Sequence, residues 1–178
     1  MNLLHRSKLL VITAMISVIA TEAMADLSNL SPRSGPVPAT TNGVPHVQIG
    51  ITPSPDISAE LLVRVSKLPG VEIRETVISL PGAKGFWIND DVIITRPQVI
   101  VGGREFAHMH PDGSLHASLS PELARMAVKL GWATRHPWAD QRAGWEGFVM
   151  IYTPTSKKEL DVVVQLVSAA YGYVTESS

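Results

Sequence analysis

The stretch that most constrains this chain is residues 104–120, REFAHMHPDGSLHASLS. Its centre, Pro111-Asp112-Gly113, is a turn with a mechanism: proline presets φ, aspartate bonds its own backbone, and glycine accepts positive φ. Alternation is clean on both sides of that turn. Ala107, Met109, Leu115, Ala117 and Leu119 share one parity; Arg104, Phe106, His108, His110, Ser114, His116 and Ser118 share the other. The pattern predicts a β-hairpin with an apolar face for a core and a second face rich in histidine. A type I turn with a bulge at Gly113 would pair His110 with Ser114 and His108 with His116.

The rest of the chain must cover the apolar face. Asp56 or Ser58 can cap a helix carrying Leu61, Leu62, Val65 and Leu68, stopped by Pro69-Gly70. Residues 71–80 alternate as a strand, and 85–88 read as the next. Residues 89–103 are interrupted by Pro97 and Gly102-Gly103 and read as a long connection with one short edge strand. Ser120 and Pro121 open a helix in which Leu123, Met126, Ala127 and Leu130 form a stripe that Gly131 closes. Residues 132–147 read as a loop, 148–153 as a buried central strand, and Ser156 with Glu159 as a capping box for a last helix to about Gly172. The expected class is α+β: a two-layer sandwich in which about three helices pack on a four- or five-stranded, mostly antiparallel sheet.

The N-terminus has the three parts of a secretory signal peptide, so residues 1–25 are expected to be removed. Arg6 and Lys8 precede an apolar run over residues 9–20, and Ala23-Met24-Ala25 offers a cleavage site. The run is too short for a membrane anchor, which needs about 20 apolar residues. Residues 26–45, rich in Ser, Thr, Pro and Gly, read as a flexible linker to a single domain over 46–175. The product would be periplasmic or secreted, with no stable membrane span after cleavage. Without its leader the chain carries 13 basic and 15 acidic residues. No basic patch invites nucleic acid. Cysteine is absent, which removes disulfides, thiol nucleophiles and thiolate metal sites together.

Chemistry therefore has to come from the histidine face. Directly opposed side chains on a hairpin have Cβ atoms about 5 Å apart, so His108, His110 and His116 would stand together. Three imidazoles in that arrangement suit a divalent transition metal with one position left open. They suit equally a metal-free polar site for a small polar or anionic ligand, or a hydrogen-bonded network of purely structural role. Arg104, Ser114 and Trp138 are the candidate ligand contacts. Nucleophile elbows, zincin helices, phosphate loops and dinucleotide fingerprints are absent from the sequence. Asp112, Ser114 and His116 lie too close across one turn to line up as a hydrolytic triad.

FAHMHPDGSLHASL, then GWATRHPWA, then GFVMIYTPTSKKELDVV resembles a bacterial and fungal family of "luciferase domain" proteins, some of which carry the name phospholipase. The likeness runs over residues 44–175. It includes the F-x-H-x-H-P…G-S-x-H hairpin at Phe106, His108, His110, Pro111, Gly113, Ser114 and His116. It includes a G-W…H-P element at Gly131, Trp132, His136 and Pro137, and an early P-H at Pro45 and His46. Residues 91–103 depart from the pattern, and nothing is carried over there. The resemblance implies a domain assignment rather than a reaction, and it adds His136 and His46 to the histidine set. The catalytic candidates are then His108, His110, His116 and His136, the first three as metal ligands and His136 as a fourth ligand or an acid/base group. The competing expectation is a non-catalytic ligand-binding module of the cell envelope.

Overall fold

The computed structural model describes residues 30–176; the expected leader and the start of the linker lie outside them. Six strands form one antiparallel sheet: β1 (Val71–Glu75), β2 (Lys84–Ile88), β3 (Glu105–Met109), β4 (Leu115–Ser118), β5 (Ala133–Arg135) and β6 (Phe148–Ile151). Their spatial order is β1-β2-β3-β4-β6-β5. Among the described residues three helices complete the α+β sandwich: α1 (Pro55–Val65), α2 (Pro121–Lys129) and α3 (Lys157–Thr175). No described helix is long and apolar enough to cross a membrane.

The hairpin forms in the register its turn dictates. His108 pairs with His116, Met109 with Leu115, and Ala107 with Ala117. His110 N–H donates to Ser114 O at 2.8 Å and Gly113 N–H to His110 O at 2.9 Å. Gly113 sits at φ 82°, and a Cβ there would fall 2.8 Å from the Thr153 methyl. Only glycine meets both demands. The apolar parity joins the core: Met109, Leu115 and Ala117 are buried in one cluster with Leu160, Val163, Leu166 and Val167 of α3. Fully burying a leucine contributes about 1.5–3 kcal/mol, so this contact anchors the layers.

The sheet departs from expectation in three places. First, it has six strands: β5, within the expected 132–147 loop, pairs Ala133 with Ile151 and Arg135 with Val149. Three residues are too few to show a period. Second, no strand forms between 89 and 103, where the chain makes a 3-10 turn at Pro97–Val99. The Arg104 guanidinium satisfies the local carbonyls instead, donating to Ile88 O (2.8 Å), Asn89 O (2.6 Å) and Val92 O (2.5 Å). Third, β1 stops at Glu75 rather than 80, because Thr76 and Val77 turn aside to bind Glu105.

A register shift lies between Phe86 and Trp87, which pair with Ala107 and Glu105 respectively. The extra residue is Phe106, and it reverses the local parity. Phe106 was expected on the histidine face. It packs instead edge-on against Tyr171 of α3, ring centres 5.8 Å apart. Glu105 moves onto the histidine side in its place.

The first helix is capped two residues before the nearer of its expected caps, Asp56. Ser54 holds the cap position with Pro55 at N1 and makes no side-chain cap bond; Asp56 and Ser58 fall inside the first turn. Ser120 and Ser156 cap as expected, accepting from Leu123 N (3.2 Å) and Glu159 N (3.2 Å). The stretch read as a linker touches the domain from Ser31 onward. Trp132 Nε1 donates to Ser31 O at 2.8 Å, and Arg33 pairs with Glu159 at 3.3 Å, both side chains nearly buried.

Candidate functional site

Five histidines are buried side by side on the sheet face opposite α3. His108 and His110 come from β3 and its turn, His116 from β4, and His136 from just after β5. His46 comes from a strap folded across them. The strap is held by Gln48 N–H donating to Asp112 Oδ2 (2.9 Å) and by Thr153 N–H donating to Gln48 Oε1 (3.1 Å). All five rings are at most 5% exposed. His116 is the hub: its ring centre lies 5.1 Å from His108, 4.5 Å from His110, 4.5 Å from His136 and 5.5 Å from His46. They line a pocket of about 270 Å³ whose walls include Val44, Val47, Leu80, Trp138 and Phe148.

The other expected contacts divide. Trp138 is in the pocket wall, its ring 5.1 Å from that of His136. Ser114 is fully buried behind His110, not in the lining. Arg104 is spent on the backbone carbonyls of 88–92 and does not reach the pocket.

Burial governs the electrostatics. Desolvation lowers the pKa of His46. It lowers His110 to about 4, helped by the neighbouring His108 and opposed by Asp112. His136 falls to about 3 by burial first and the other imidazoles second. His116 is held well below its ordinary value by the same causes, burial first and the surrounding imidazoles second. His46, His110, His116 and His136 are therefore neutral near pH 7, the form that ligates metals or accepts protons.

Among the described residues two sets of three histidines bring ring nitrogens within 4.8 Å of one another: His108, His110 and His116 near the turn, and His46, His116 and His136 near the mouth. Either group can hold a metal by distance alone. Hydrogen bonds behind the rings separate them. Ser114 Oγ donates its one proton to Asp112 Oδ1 at 2.7 Å, so at 3.0 Å it must accept from His110 Nδ1. His110 then carries its proton on Nδ1 and keeps the Nε2 lone pair free. His136 is the reverse: Trp138 N–H donates to its Nδ1 at 3.0 Å. Its neutral ring must carry the proton on Nε2, where it can donate but not ligate. The two assignments follow from the bonding network.

His108 Nε2 lies 3.1 Å from His116 Nδ1. Metal–nitrogen bonds of 2.0–2.1 Å put two nitrogens of a tetrahedral site about 3.3 Å apart, so this spacing suits shared ligation as well as a hydrogen bond. His46 Nδ1 and His116 Nε2 are buried with no hydrogen-bond partner, each an outlay of about 1–3 kcal/mol unless something binds there.

Sequence reasoning missed Glu105. It sits 1% exposed with Oε1 at 3.1 Å from His108 Nδ1. Its parity pointed to the apolar face, and only the shift opposite Phe86 and Trp87 turns it round. A lone acid on the parity shared by Ala107 and Met109 was the available signal.

Fold and site thus define an α+β domain with a buried polyhistidine pocket on one sheet face. The family model described as "Luciferase domain" matches residues 103–170, the segment that supplies His108, His110, His116 and His136. A luciferase of Armillaria gallica is 31% identical over 169 residues, covering 84% of this chain and 62% of the relative. Luciferases of Armillaria ostoyae and Neonothopanus nambi are 30% and 27% identical with the same coverage. The chain is thus similar to luciferase-domain proteins, the family match covering residues 103–170; it spans about 62% of the length of these curated relatives. The name phospholipase finds no support in these matches. No solved structure matches the chain.

Proposed function

We propose that the chain is an enzyme in which His108, His110 and His116 hold a divalent transition metal at the base of a pocket for a small polar or anionic molecule. The observation that carries this is the Asp112–Ser114–His110 chain, which fixes His110 as a lone-pair donor aimed away from its support. Metal-ligating histidines almost always rest their second nitrogen on such an oxygen. A metal here would supply Lewis acidity or an activated water. The protein's own part is to exclude water through Val44, Val47, Leu80 and Phe148 and to present the His136 N–H to a ligand oxygen. The relatives' name, luciferase, is that of an enzyme and favours turnover over passive binding. Export is supported by the three-part N-terminus, and N-terminal sequencing of the mature protein tests it.

A second reading rests on the same 3.1 Å contact taken as a hydrogen bond. His116 Nδ1–H would donate to His108 Nε2, leaving His116 Nε2 as a buried base in a metal-free pocket. Cobalt(II) substitution separates the two. One equivalent of cobalt bound with intense visible bands, lost in His110→Ala, supports the metal site. Binding that is weak and unaltered by His110→Ala sinks it and leaves the base.

A further inference from the structure

Glu105 is fixed from three directions. Val77 N–H donates to Oε2 at 2.9 Å. Thr76 Oγ1 lies 2.7 Å from Oε1 and itself accepts from Ile78 N–H at 3.2 Å, so its proton goes to Glu105. Both carboxyl oxygens are therefore acceptors. Beneath them lies Gly85, where a Cβ would fall 3.0 Å from Glu105 Cδ and 2.6 Å from Trp87 Nε1; the missing side chain makes the cradle. His108 Nδ1 faces Oε1 at 3.1 Å. The approach is oblique, so Nδ1 has no in-line hydrogen bond, and the contact acts through charge on dipole.

We infer that Glu105 is the positioning residue of the site: its carboxylate sets the tautomer of His108, holding the proton on Nδ1 and turning the Nε2 lone pair toward His116. A lone pair on Nδ1 would face an acceptor oxygen across 3.1 Å of buried, low-dielectric space, and that arrangement is repulsive. With the proton on Nδ1 the ring's positive edge meets the carboxylate instead. Glu105 thus does for His108 what the Asp112–Ser114 pair does for His110. Both rings then offer Nε2, and His116 closes the set with Nδ1. The inference deepens the metal reading and rests on it for its functional consequence, while the tautomer itself is set with or without metal.

Glu105→Gln is the discriminating variant because shape is kept and one acceptor becomes a donor. Val77 N–H still needs an acceptor, so the amide oxygen takes the Oε2 position and the NH2 takes that of Oε1. The NH2 donates toward His108 Nδ1, which must now accept, and the proton moves to Nε2. Long-range proton–nitrogen correlation of the imidazole rings in chelator-treated protein reads this directly. Wild type is expected to carry the His108 proton on Nδ1, and Glu105→Gln to carry it on Nε2. Zinc titration of the same two samples is expected to show affinity lower by about 10- to 100-fold in the variant.

A wild-type His108 protonated on Nε2 overturns the inference, and this needs no variant to fold. A folded Glu105→Gln protein with the wild-type tautomer overturns it too. If the tautomer moves as expected but neither protein binds zinc, the positioning role stands and the metal reading fails.

Discussion

The two histidine triads share His116 and nearly the same dimensions, yet their supports differ in kind. Behind the turn-side triad stand oxygens: Glu105 at His108 and Ser114, backed by Asp112, at His110. Behind the mouth-side triad stands a backbone N–H, that of Trp138, on His136. An acceptor behind a ring pushes its lone pair forward, and a donor behind it pushes a proton forward. Distances alone nominate both triads as metal sites. The second nitrogen decides which offers electrons and which offers a hydrogen bond.

The largest effect that sharpens this contrast comes from the shared ring. His116→Ala should abolish stoichiometric metal binding by elemental analysis and open the pocket at its hub. His108→Ala should do nearly the same. Retention of a full equivalent in either variant would remove the turn-side set from consideration.

Next in size is the response to acid. The folded pKa values of His110 (about 4) and His136 (about 3) lie below the ordinary 6.5. Between those limits the unfolded chain binds more protons than the folded one, so stability rises with pH there. Metal-free protein should be fully stable above pH 6.5 and lose stability as pH falls toward 4, by the order of 3 kcal/mol from His110 alone. Denaturant melts at pH 7, 5.5 and 4.5 measure this, and a flat profile would mean that the rings are not held neutral by burial.

Smaller still is Ser114→Ala, which removes the oxygen behind His110. Metal affinity should weaken by about tenfold, at the low end of losses for such supports, and competition with a chromogenic chelator measures it. An unchanged affinity would show that the second nitrogen of His110 does not matter. The smallest site effect belongs to Arg104→Ala: stability lower by about 1 kcal/mol from the lost carbonyl contacts, with metal affinity unmoved. A large change in metal or ligand binding would restore Arg104 to the pocket.

The turn side was the more legible half in the sequence. Pro111-Asp112-Gly113 fixes the register by local chemistry, so His108 opposite His116 and His110 beside Ser114 follow from the residues themselves. The three helices were legible for a similar reason, each carrying its own stripe and stop. The mouth side was not. His46 lies 62 positions before His108 and is brought in by Gln48 bonding Asp112, a contact with no local period; only the family likeness pointed to it. Phe106 was placed on the wrong face and Glu105 was not singled out, because parity counts residues along one strand, whereas the shift is set by the partner strand at Phe86 and Trp87. In the 89–103 segment, which forms no strand, Arg104 takes the carbonyls of Asn89 and Val92 and Pro97 opens a 3-10 turn.

Elemental analysis of tag-free wild type beside His110→Ala and His136→Ala tests the central contrast most directly. The two triads predict about one equivalent of transition metal in wild type, almost none in His110→Ala, and close to a full equivalent in His136→Ala, whose ring only donates. Equal loss from both variants, or no metal in wild type after reconstitution, would contradict the account.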